Sequence, residues 1–73
     1  MAFKEALKWA RLRAGLSQEE LGHRSGLART TINYLERGTR KPSLEVFVLL
    51  ADALKIDPVV LLKRAIREQG DKK

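Results

Sequence analysis

A chain of 73 residues has room for one domain and one small core, and at 44% hydrophobic and 33% charged residues it reads as folded and soluble rather than disordered. The lack of cysteine excludes disulfides, thiolate metal sites and a thiol nucleophile, and a single histidine with no His/Asp/Glu cluster at ligand spacing gives no ground for a metal or cofactor. Fifteen Lys and Arg against nine acidic residues leave a net charge of +6, which suits a polyanionic partner but equally a well-solvated surface, so charge alone does not decide function.

The amino terminus is interrupted by charge throughout and is not a signal peptide. No apolar run approaches the roughly 20 residues of a membrane span, so no membrane partner and a cytoplasmic location are expected. Apolar periodicity is helical along the chain, without alternating strands or a hairpin signal. The spacing predicts a first helix from about Ala2 to Ala14, with Phe3, Leu7, Ala10 and Ala14 on one stripe and Gly15 as terminator. Ser17 opens a second helix, Glu20 three residues on completes a capping box, and Gly26 ends it after Ser25. A third helix runs from about Arg29 to Arg37 and stops at Gly38, followed by a polar loop through Pro42. Ser43 caps a fourth, with Leu44, Phe47, Leu50, Ala51 and Leu54 as its inward stripe. Asp57 followed by Pro58 starts a fifth, whose Leu61, Leu62, Ala65 and Ile66 can face the core and which fades near Glu68. The chain thus reads as an all-α domain over residues 1–68 with a flexible basic tail at 69–73.

The second and third helices, joined by a short turn containing glycine, form a helix-turn-helix unit, a pattern that is weak alone. The face of the third helix adds to it. At about 100° per residue, Ile32 and Leu35 define its buried side, so Thr30, Asn33, Tyr34 and Arg37 point outward, with Arg29 at the amino-terminal end. Arg suits guanine, Asn suits adenine, and Thr suits several bases or the thymine methyl. An ordinary solvated face would carry glutamates and lysines instead. Gln18 lies at the start of the second helix, where free backbone N–H groups favour a phosphate. Arg40 and Lys41 lie on the loop after the third helix, within reach of a flanking backbone.

These residues resemble the lambda-repressor/Cro-like helix-turn-helix family of xenobiotic-response-element (XRE) regulators. The likeness spans about residues 3 to 62 and rests on Leu16-Ser17-Gln18, Gly22, the turn glycine Gly26, Ile32, the Leu35 to Gly38 run, and Pro42-Ser43. It implies a compact five-helix DNA-binding domain whose base-reading positions fall on Arg29, Thr30 and Tyr34, with Asn33 beside them. The implied phosphate positions fall on Gln18, Arg40 and Lys41, and Arg37 joins them at the end of the outward face. Arg11, one turn from Leu7, and Glu36, one turn from Ile32, are implied to form a structural salt bridge. Length and the helical carboxy-terminal end are also similar to restriction–modification controller proteins. The sequence departs from the family at Ala28, where Ser or Thr usually caps the recognition helix, a loss of about 1 kcal/mol. It departs again at Ser25, usually apolar, and at Gly22, usually alanine, and both changes are expected to weaken local stability.

Further side chains are weighed one by one. His23 is expected on the surface, Trp9 at the edge of the core or against a partner, and the basic residues from Lys63 to Lys73 in solvent, with a secondary contact to DNA as their alternative. Val46, Val48 and Leu49 are surplus to the fourth helix's stripe, and Val59 and Val60 are apolar at the start of the fifth, so a homodimer through Val46, Leu49, Val59 and Val60 is expected. Double-stranded DNA is the expected partner, on a two-fold operator. The nearest rival is an antitoxin of the same fold that binds DNA and a toxin protein, ahead of a purely protein-binding module. No nucleophile–base pair or phosphate-cradling glycine loop suggests an enzyme, and with no sensor domain visible no small-molecule effector is expected.

Overall fold

The computed structural model describes residues 2–70, with side chains over 2–67. Among these residues there are five helices and no strand: α1 Phe3–Arg13, α2 Gln18–Ser25, α3 Arg29–Arg37, α4 Leu44–Ala53 and α5 Pro58–Gly70. None is long and apolar enough to cross a membrane. α1 packs on α3 and α5, α2 on α3 and α4, and α4 on α5. The largest fully buried side chains are Leu7, Leu21, Ile32, Leu50 and Leu61, one from each helix, and Phe3 and Phe47 meet beside them with ring centroids 5.5 Å apart.

Local chemistry sets the helix ends. Gly15, at φ +74°, lets its own N–H reach Leu12 O (3.0 Å) and the next N–H, of Leu16, reach Arg11 O (3.1 Å), closing α1. At α2 the Ser17 hydroxyl accepts the Glu20 N–H at 3.0 Å while the Glu20 carboxylate accepts the Ser17 N–H at 2.8 Å. Those bonds hold the Glu20 carboxyl below its usual range, so their contribution is complete above that range and lost as pH falls through the lowered value. Ser43 Oγ accepts the Val46 N–H at the start of α4, and Asp57 Oδ1 accepts the Val59 N–H at the start of α5. α5 continues through Gly70, past Glu68 where it was expected to fade; the remainder of the expected basic tail, 71–73, lies outside the described residues.

Several apolar residues sit differently from the sequence expectation. Ala14 is exposed as the capping residue after α1, and Ala6 and Leu16 are buried instead. Leu44 is 81% exposed, because the inward stripe of α4 begins a turn later at Phe47. Leu44 borders an open apolar groove, shared with Phe47 and Leu62, that no described element fills. Val46 is half-buried against the core, so it does not belong to an exposed apolar face. Among the described side chains of α5, only Leu61 and Ala65 reach the core. At about 100° per residue the apolar arc continues past them, and Leu62 and Ile66 are carried out to solvent. Trp9 is half-buried at the core edge, with the Arg64 guanidinium 4.1 Å and that of Arg13 5.6 Å from its ring centroid, so Arg64 is a packed residue rather than a solvated one.

α4 ends through Lys55, which lies in the left-handed region at φ +55°, where its N–H reaches Asp52 O and that of Ile56 reaches Ala51 O, both at 3.0 Å. Glycine normally occupies such a position because a Cβ there is strained. Lys55→Gly is expected to stabilise the fold by about 0.5–1 kcal/mol, the relief of strain exceeding the added freedom of the unfolded chain. Urea unfolding of the two proteins checks this, and an unchanged or lowered midpoint would refute it.

Candidate nucleic-acid interface

The turn between α2 and α3 is closed by Gly26, at φ +76°, after which the Leu27 N–H reaches Gly22 O at 3.0 Å and the Leu27 side chain packs partly into the core. A Cβ on Gly22 would lie only 2.7 Å from Leu27 O. Glycine at this position therefore permits a close approach of α2 to the turn, a packing role rather than simply the weakness expected from the sequence. Ser25 is buried with its hydroxyl donating to Leu21 O at 2.8 Å, which satisfies a polar group where the family is usually apolar.

α3 turns Ile32 and Leu35 into the core and leaves Arg29, Thr30, Tyr34 and Arg37 exposed, with Asn33 half-buried between them. Ala28 supplies no side-chain cap; its carbonyl accepts the Thr31 and Ile32 N–H groups, so the amino-terminal end of α3 is held by the turn and the core alone. After Gly38 the loop folds back: the Thr39 hydroxyl donates to Tyr34 O at 3.2 Å, and the Arg40 guanidinium lies 5.2 Å from the Tyr34 ring centroid. Arg40 is thereby set beside the outward face of α3, and Lys41 is exposed next to it.

Beneath this face lies a polar network. Arg11 Nε and Nη2 donate to the two carboxylate oxygens of Glu36 at 2.6 and 3.0 Å, and Nη1 donates to Leu16 O at 2.8 Å. Both side chains are buried, at 10% and 5% exposure, and the fork of hydrogen bonds holds the Arg11 pKa above its usual value. The Gln18 side chain, expected at a phosphate, is half-buried: its Nε2 donates to Glu36 Oε1 at 3.2 Å and its Oε1 accepts from Asn33 Nδ2 at 3.3 Å. Reading each helix by its period could not find these contacts, because they join residues on different elements. His23 is exposed on α2. Chemically, the surface offers a helix face with donors, an aromatic ring and cations, beside the capped amino-terminal end of α2.

The sequence between residues 7 and 61 matches the family described as Helix-turn-helix, and the chain belongs to it. The restriction-modification controller protein C.AhdI from Aeromonas hydrophila, a crystal structure, is 44% identical, superimposes with a TM-score of 0.79, and is matched over 81% of this chain and 86% of its own. Control protein C.SmaI of Serratia marcescens is 42% identical over 57 residues, 75% of this chain and 68% of that protein. An uncharacterized HTH-type transcriptional regulator of Mycobacterium tuberculosis is 40% identical over 52 residues, 71% of this chain; the match spans just 37% of that regulator's length.

Removing the Arg11 guanidinium would strand the Glu36 carboxylate and leave Leu16 O without its donor. Arg11→Ala is expected to cost ~3–5 kcal/mol, the usual penalty for breaking a buried pair. Thermal melting followed by circular dichroism measures it, and a variant that melts like the wild type would contradict a structural role for the pair.

Proposed function

We infer that this chain is a sequence-specific double-stranded-DNA-binding transcriptional regulator that places α3 in the major groove and acts as a homodimer on a two-fold operator. The outward face of α3 carries the reading: Arg29, Thr30 and Tyr34 exposed with Asn33 beside them, on a helix anchored from behind by Ile32 and Leu35. On this reading those four residues meet base edges, while Gln18, Arg37, Arg40 and Lys41 approach phosphates and fix the register. Similarity to C.AhdI and C.SmaI favours a role like that of restriction–modification controllers.

Dimerisation is supported by the apolar surface of α4 and α5. Leu49 is 42%, Val59 56% and Val60 48% exposed, and Val48, Leu62 and Ile66 on the same two helices are exposed as well, many apolar side chains for so small a protein. Two copies joined there would present two recognition helices to half-sites one helical turn apart, extending the few base pairs a single unit can read.

Selection of bound sequences from random duplexes tests the reading and yields the half-site spacing. Arg29→Ala is expected to relax preference at particular base pairs by ~1–3 kcal/mol of discrimination. Lys41→Ala should weaken all sequences about equally and lower the salt slope by about 1. If Arg29→Ala weakens specific and non-specific duplexes equally, Arg29 is a phosphate ligand.

Leu49→Glu combined with Val59→Glu places two charges on the exposed apolar face without touching the core. The expected product is a folded monomer with much weaker operator binding, measured by sedimentation and gel shift. A wild type that is monomeric at tens of micromolar and also on DNA would refute the dimer. Co-purification with a second small protein at equal stoichiometry would instead favour the antitoxin reading.

A further inference from the structure

Resting on the DNA-reading role of α3, we propose that Gln18 is a positioning residue for recognition: with Glu36 it fixes which end of the Asn33 amide faces the DNA. The polarity follows from the chemistry of the chain of bonds. Arg11 can only donate, and its fork occupies both carboxylate oxygens of Glu36, which can only accept. Gln18 must therefore turn its Nε2 toward Glu36, which it does at 3.2 Å, and this leaves its Oε1 toward α3. Asn33 must in turn point Nδ2 at that oxygen, at 3.3 Å. An asparagine alone could present either end of its amide; here a buried charge pair chooses one.

The result is a carbonyl oxygen, Asn33 Oδ1, that accepts no hydrogen bond among the described residues, with one amide hydrogen of Nδ2 still to spare. In the major groove an acceptor meets the amino group of adenine or cytosine, and the spare hydrogen additionally suits adenine N7. Guanine and thymine offer only acceptors along their polar groove edges and are disfavoured. Asn33 is thus assigned to a base bearing an amino group on the contacted strand, with adenine making the fuller pair. The selectivity originates at Arg11 and passes through Glu36 and Gln18, none of which needs to touch the base.

The test compares the wild type, Gln18→Met and Asn33→Ala by selection from random duplexes and by nuclear magnetic resonance of side-chain amides in the free protein. Gln18 is half-exposed, so Gln18→Met should remain folded, and Gln18→Ala serves as a second variant should it not. With the relay broken, the Asn33 amide can turn over and donate to guanine or thymine. Preference for adenine or cytosine should then fall about tenfold, at the same base pair that Asn33→Ala affects. In the free protein the Asn33 amide resonances, identified by their loss in Asn33→Ala, should shift and exchange faster with water in Gln18→Met. A uniform loss of affinity with unchanged preference would make Gln18 a phosphate ligand only and overturn the proposal. So would a changed preference at a different base pair, or an Asn33 amide indifferent to Gln18. A wild type that enriches no sequence would refute the DNA-reading role itself, while the amide resonances still decide whether the relay exists.

Discussion

Arg11 occupies a position where a core side chain would ordinarily lie, and a cation there needs a partner brought to it in one orientation. The partner is Glu36, on α3, and the two-point fork between them fixes both the distance and the rotation of α3 against α1. Apolar packing alone would hold Ile32 and Leu35 in the core yet permit small rotations of the helix about them. The third bond, to Leu16 O, ties the same guanidinium to the residue that leads into α2. One side chain therefore sets the relation between the scaffold helix and both helices of the helix-turn-helix. Compared with a well-packed apolar replacement such a pair adds little or nothing to net stability, and its effect here is to fix geometry.

The scaffold behind that pair is α1, which is braced on its other side by α5. Ala2 N–H reaches Ala65 O at 3.1 Å, and Arg64 lies over Trp9. These contacts also divide the positive charge of the protein. Arg13 and Arg64 are drawn to the indole, while Arg29, Arg37, Arg40 and Lys41 remain on or beside the outward surface of α3. The net charge therefore overstates what is concentrated at one face, and the arrangement of the cations carries more functional information than their number.

Every helix start and the ends of the first three helices were legible in the sequence because the signals that set them are local, whereas the ends of α4 and α5 were not. Gly15, Gly26 and Gly38 each take the left-handed conformation at a helix end, and Ser17, Ser43 and Asp57 each accept a first-turn N–H or complete a box within three residues. The buried side of α3 was legible for the same reason. Periodicity gives the direction of a side chain but not whether anything lies there to cover it, and so Leu44, Leu62 and Ile66 were expected inside and lie outside. Val46 failed in the opposite sense, half-covered where exposure was expected. Contacts between distant elements were invisible: the Arg64–Trp9 stack and the bonds of Gln18 to Glu36 and Asn33 join residues whose proximity only the assembled fold creates. Gly22 looked like a weakness because its neighbour, Leu27 O, comes from the next turn.

The distribution of the largest buried side chains, one to each helix, bears on how the molecule is made and lost. No pair of helices owns a core that could persist without the others, and segments of 8 to 13 residues are too short to be stable alone in water. Folding is therefore expected to be all-or-none, with the surface of α3 absent from any partly formed state. This couples the folded fraction to turnover. The unfolded fraction is fully open to proteases, so a change of about 1–2 kcal/mol anywhere in the five-helix core would alter cellular abundance several-fold without touching the outward face of α3.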